Sequence, residues 1–168
     1  AGKSSAVRTI PEATKVWNES AAILDTNLSK LPSAEDRIAQ ALKANKEPYI
    51  QFVYREPLDA FESVIKRGVE NPAELGRIVP SKIAARNTVG AWETSKAFYT
   101  ANREFPIMFI DNSLGAKNAS VVDFATLNAK IKYPSIEELT KQYNEIAKRL
   151  YNNGKGIIDK ETYLEYIK

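Results

Sequence analysis

Tyr49-Ile50-Gln51-Phe52-Val53-Tyr54, closed by Arg55, makes the strongest statement about architecture in this chain. Its apolar and β-favouring residues are nearly continuous rather than strictly alternating, the pattern of a strand covered on both faces. Two other runs have the same form: Ala21-Ala22-Ile23-Leu24 ends at Asp25, and Ile107-Met108-Phe109-Ile110 ends at Asp111. Helix-like segments separate the three, and strands that alternate with helices assemble into a parallel sheet. An α/β fold is therefore expected. In such sheets the ligand crevice lies outside the carboxyl ends of the strands, so Asp25, Arg55 and Asp111 are candidates for one shared edge. The plainer reading is that charges simply terminate apolar runs.

Working outward, the segments between these runs carry helical spacing. Ser33 is a candidate N-cap ahead of Ile38, Ala41 and Leu42, and Asp59 to Arg67 puts Ala60, Phe61, Val64 and Ile65 on one face. Ser81, after Pro80, opens a long helix through Phe98, which Gly90 weakens slightly. Ser135-Ile136-Glu137-Glu138 fits a capping box. Beyond it Ile136, Leu139, Tyr143, Ile146 and Leu150 form a stripe expected to face a core, with Asn153-Gly154 as the stop. Residues 159 to 167 are expected to be helical, and 115 to 120 to form a loop.

Composition excludes several chemistries. The 168 residues contain no Cys and no His, which removes thiolate nucleophiles, disulfides, His-based zinc sites and a Ser-His-Asp triad. Acid–base work would fall to carboxylates, Lys or Tyr. A net charge of +3 is too small to argue for a polyanionic partner. No apolar run reaches the length of a membrane span, and no targeting segment is visible, so a cytoplasmic location is the expectation.

The chain opens Ala1-Gly2-Lys3-Ser4-Ser5. Gly-Lys-Ser is the second half of a phosphate-binding P-loop. There Gly2 lets the backbone approach phosphate, and the N–H groups at the helix start, including that of Ser5, hold the anion. Lys3 reaches the outer phosphates, and Ser4 ligates magnesium. A bare tripeptide also occurs by chance in exposed tails. Asp25 follows at a distance that fits one intervening helix, the place of a magnesium-orienting Asp in P-loop proteins. Its plainer reading is a turn residue in Asp25-Thr26-Asn27.

Several segments, in order, resemble the zeta toxin family of kinases. These are Ile23-Leu24-Asp25-Thr26-Asn27-Leu28-Ser29, Phe52-Val53-Tyr54-Arg55-Glu56-Pro57, Lys66-Arg67-Gly68, Gly76-Arg77-Ile78-Val79-Pro80, Ala85-Arg86-Asn87-Thr88-Val89-Gly90-Ala91 and Ile110-Asp111-Asn112-Ser113. The likeness is nearest to the zeta-like domains of bacterial conjugative mobilisation (relaxase) proteins. It implies a three-layer P-loop NTPase-like parallel sheet with flanking helices over residues 1–115, without its first strand; beyond the resemblance, residues 116–168 are expected to form a helical C-terminal extension packed on that core. It also implies magnesium-dependent transfer of the terminal phosphate of ATP or GTP to a small molecule, a UDP-amino sugar in founding members. By position, Lys3 and Ser4 hold phosphate and magnesium. Asp25 and Asn27 lie near the metal or acceptor, and Arg55 contributes to the acceptor edge. Arg67 and Arg77 neutralise the transferring phosphoryl group, a role that contributes about 10³–10⁵ in rate in related chemistry. As plainer alternatives, Arg67 is a cation at a helix C-terminus and Arg77 a solvated loop charge. An antitoxin-like protein or the conjugation machinery is the implied protein partner.

The match has departures. A strand ending in Gly-x-x-Gly is expected ahead of Ala1. Twenty residues lie between Ser4 and Asp25, room for a helix and a turn but not for the family's extra strand with its catalytic Asp, so Asp25 either substitutes for that base or the base is absent. The family's His near Thr88 is missing. Two other functions stay open: a non-catalytic nucleotide-binding or docking module, and nucleic-acid binding through Lys130, Lys132, Lys141, Lys148, Arg149 and Lys155. Glu137, Glu138 and Glu145 dilute that charge, so nucleic acid is not the expected partner.

Overall fold

The computed structural model describes residues 3–70, 78–101 and 105–168. Among them are α1 (Lys3–Thr9), α2 (Pro11–Glu19), α3 (Leu31–Lys43), β1 (Ile50–Tyr54), α4 (Pro57–Glu70), α5 (Ser81–Ala101), β2 (Ile107–Asp111), β3 (Ser120–Val122), α6 (Phe124–Lys130), α7 (Ile136–Tyr151) and α8 (Lys160–Tyr166). The chain is α/β. Its sheet is mixed, with order β1-β2-β3: β1 and β2 are parallel, β2 and β3 antiparallel. Two compact units interleave along the sequence. A helical unit takes Pro57–Val89 and Tyr133–Lys168, and a sheet unit takes the described residues up to Glu56 with Gly90–Lys132.

In the sheet unit the register Ile50↔Ile107 to Tyr54↔Asp111 puts paired residues on the same face. Val53, Met108 and Ile110 pack with Ala6, Val7, Ile10 and Ala13 of α1 and α2. On the other face, Phe52 and Phe109 meet Trp92, and Phe109 also meets Tyr99 and Phe124. Nearer the strand starts, Ile50 and Phe105 pack with Ala34 and Phe98. Helices therefore cover both faces, and that is why β1 and β2 read as continuous apolar runs.

Three expectations change. The run 21–24 is not a strand; Ile23 is 46% and Leu24 59% exposed, and no strand among the described residues pairs with it. The helix that begins at Lys3 breaks at Ile10, because Pro11 starts α2 and removes a donor. And α3 begins at Leu31 rather than after Ser33, with Pro32 in its first turn. The sequence reading missed β3, which begins at Ser120, the last residue of the expected loop, and is only three residues long.

The helical unit follows the sequence closely. Ser135 caps α7, its hydroxyl accepting from the Glu138 amide at 3.1 Å, and Asn152 ends it in a left-handed conformation (φ 42°). The expected stripe is the core: Leu139, Tyr143, Ile146 and Leu150 are buried with Phe61, Ile65, Ala85 and Tyr166, and Ile136 packs against them. Phe61 and Tyr143 stack with centroids 4.2 Å apart. Asp159 caps α8 through the Thr162 amide at 2.8 Å.

Candidate functional site

A cleft of about 130 Å³ opens in the sheet unit. It is lined by the start of α1 (Lys3, Ser4), the end of α2 (Trp17, Ser20), the segment from Ala22 to Thr26, and Tyr49, Gln51 and Val53 along β1. Three sequence-predicted site residues come together here. The Lys3 ammonium lies 2.5 Å from the Asp25 carboxylate and donates to the Thr26 carbonyl at 2.9 Å. The Ser4 hydroxyl side chain shares the lining with them. Ser5, one residue on, is exposed and is not among the lining residues.

Local rules build the far side of this pair. Thr26 accepts from the Leu28 amide at 3.4 Å, and Asn27 accepts from the Ser29 amide at 3.2 Å, the side-chain-to-backbone turns that Thr and Asn favour. Asn27 thus has a turn role. Gly90 lets α5 run close by: a Cβ built there would lie 2.3 Å from the Ser29 carbonyl oxygen.

The Lys3–Asp25 pair is accessible, with side chains 40% and 56% exposed. Pairs of that kind contribute no more than about 1 kcal/mol, so the contact holds Lys3 and Asp25 together only weakly. Among the described residues, Asp25 is the one carboxylate that lines the cleft, and no group of three or more potential metal-binding side chains occurs.

The other run-ending charges have different surroundings. Arg55 follows β1 and does not line the cleft. Asp111, at the carboxyl end of β2, pairs with Lys130 at 2.7 Å and accepts from the Ser113 amide at 2.9 Å. Burial alone would raise the Asp111 pKa, but the bonds from Lys130 and Ser113 hold it below the ordinary carboxylate value. Lys130 also reaches the Ser113 hydroxyl at 2.5 Å and stands 5.8 Å from the Tyr54 ring centroid. Lys130 was read from sequence only as part of a diffuse basic surface; its partners are 17 and 19 residues away, and no local spacing announces them. Arg67 is in the last turn of α4, in the helical unit. Gly2 and Arg77 lie outside the described residues.

No protein-family model, curated protein or solved structure matches this chain. Among the described residues no helix is long and apolar enough to cross a membrane.

Proposed function

We propose that the cleft receives the phosphate end of ATP or GTP, and that the chain is a phosphotransferase resembling zeta toxin kinases, acting on a small acceptor such as a UDP-amino sugar. One observation carries this: Lys3 and Asp25, distant in sequence, meet at a cleft that Ser4 also lines. A cation, a hydroxyl and a carboxylate side by side are the set that phosphate with magnesium asks for. Magnesium is held by one or two carboxylates together with phosphate oxygens and water, and the Ser4 hydroxyl and Asp25 carboxylate fit that donor set. The bound nucleotide supplies the phosphoryl group, and magnesium screens its charge. Lys3 would exchange its bond to Asp25 for one to phosphate, which frees the carboxylate for the metal. A whole-ligand pocket is usually about 300–1,000 Å³; a cleft of about 130 Å³ matches a phosphate moiety, with the base and ribose outside it.

A second reading has its own support. With Asp25 committed to Lys3 or to magnesium, no other carboxylate among the described cleft-lining residues can serve as a general base. That favours a nucleotide-binding or docking module that binds without turnover, inside a larger conjugation protein.

Calorimetry with ATP and magnesium, followed by a turnover assay with UDP-N-acetylglucosamine, separates the two. Binding with turnover supports the kinase, and binding without turnover supports the docking module. Lys3→Ala is expected to weaken binding by at least ~10-fold, since a charged hydrogen bond to phosphate contributes about 1.5–3 kcal/mol. Absence of ATP binding by the unaltered chain would sink both. If turnover is found, Arg67→Ala and Arg77→Ala test the expected charge-neutralising arginines, each by a loss on the order of 10³ in rate; an unchanged rate removes that residue from the chemistry.

A further inference from the structure

Most aromatic rings in the sheet unit pair with one another. Phe52, Trp92, Tyr99, Phe109 and Phe124 form one connected group, and Phe98 meets Phe105. Trp17 and Tyr49 stand apart from both. Each lines the cleft, and among the described residues neither has a ring contact or a hydrogen bond. Trp17 also packs against the buried cluster of Ala6, Val7, Ile10 and Ala13, which holds its indole in place. Tyr49 is 39% exposed, so it reaches from the cleft to the outer surface and forms part of its rim. Partial burial raises the Tyr49 phenol above its ordinary value, and no bond to the hydroxyl offsets that cost. Gln51 lines the cleft as well. Its side-chain amide donates to the Ala13 carbonyl at 3.0 Å, which fixes the group and leaves its own oxygen as an acceptor among the described residues.

A Trp N–H or Tyr O–H that leaves water usually finds a partner, and a few polar groups in an apolar concave wall are what orient a ligand. Here the wall offers unpaired aromatic faces, an indole N–H, a phenol O–H and a fixed carbonyl acceptor. That set suits a flat heteroaromatic ring with donors and acceptors of its own, and stacking on aromatic side chains is the common way such rings are held. We propose that Trp17, Tyr49 and Gln51 hold a nucleobase at the cleft rim. The inference rests on the phosphate reading for the class of ligand. A cleft of about 130 Å³ takes phosphate and leaves the base outside it, and these three side chains are the groups the base meets there. Its face stacks on an aromatic ring, its acceptors take the indole and phenol hydrogens, and its exocyclic N–H or ring N–H donates to Gln51. The phosphoryl donor and a nucleotide-sugar acceptor both carry such a ring, and the test separates them.

The indole N–H signals of Trp17 and Trp92, the two tryptophans of the 168-residue protein, report on this site in heteronuclear NMR spectra, and Trp17→Phe identifies which signal is which. Adenosine, guanosine and uridine, which lack phosphate, are titrated at millimolar concentration, with inorganic triphosphate and magnesium in a separate series. At least one nucleoside is expected to move the Trp17 signal, while Trp92, 3% exposed within the aromatic group, stays in place. A stronger response to adenosine or guanosine assigns the base to the phosphoryl donor, and a stronger response to uridine assigns it to the acceptor. Tyr49→Ala is expected to weaken nucleoside binding ~10-fold or more, and Tyr49→Phe, which keeps the ring, to weaken it less. Tyr49 has no bonded partner to lose, and an unmoved Trp92 signal verifies that both variants are folded. The inference is overturned if no nucleoside moves Trp17, if Trp92 moves equally, or if Tyr49→Ala leaves the affinity unchanged. It is also overturned if N-acetylglucosamine moves Trp17 as far as any nucleoside does. Nucleoside binding without triphosphate binding keeps the ring site and loses the phosphate reading; triphosphate binding without a nucleoside response does the reverse.

Discussion

Gly90 shows how much one missing Cβ determines. Read as sequence, it is a weak point in a helix, and alanine there would gain about 1 kcal/mol of propensity. In the fold the added methyl meets the Ser29 carbonyl at 2.3 Å, and backbone cannot swing away as a long side chain would. Overpacking of this kind costs about 1–3 kcal/mol, so the clash outweighs the propensity. Gly90→Ala is expected to lower stability in denaturant titrations, and a stabilised variant would refute the close approach. Asp111 carries a pH signature. Its folded pKa is below its ordinary value of 3.8, so the contribution is complete above about pH 4 and is lost as pH falls through the lower folded value. Lys130→Met should flatten that acid limb in thermal melts between pH 5 and 2; an unchanged slope would mean the clamp contributes nothing.

At the scale of elements, legibility follows the number of independent signals. α7 has a capping serine, a five-residue stripe and a left-handed stop, and each matches the fold. The run 21–24 had composition alone, and a strand also needs a partner at its edge. α3 is intermediate: its boundaries are close to expectation, yet Ala34 is its one buried residue and Leu42 is 54% exposed. Little apolar burial means little resistance to opening. The α3 amides are expected to exchange at least ~10-fold faster than those in the middle of α7, and equal protection would show that α3 is held by something outside the described contacts.

At the scale of the molecule, buried tyrosines mark the helical unit. Burial pushes the Tyr143 phenol up to about 12, against a smaller lowering by its bond to Thr88, and burial also raises Tyr166. A folded pKa above the unfolded value gives stability that is complete below about pH 10 and lost as pH rises towards the folded value. For Tyr143 the loss is on the order of 2–3 kcal/mol across that window. Melting temperatures should fall between pH 10 and 12, and Tyr143→Phe should make that fall shallower. A profile that is flat for the unaltered protein would contradict the burial of this ring.

Residue order alone was enough for the α/β class, the two parallel strands, the α7 core stripe and the Ser135 cap, because periodicity, capping and turn chemistry act over a few neighbouring residues. The grouping of Lys3 and Ser4 with Asp25 was legible in part, through the spacing of a short motif and the run that follows it. Three-dimensional packing was needed for the rest. The Lys130–Asp111 clamp, the role of Gly90 against Ser29 and the antiparallel β3 all depend on segments far apart in the chain. Whether a strand forms, or a charge finds a partner, is settled by what the fold brings alongside it.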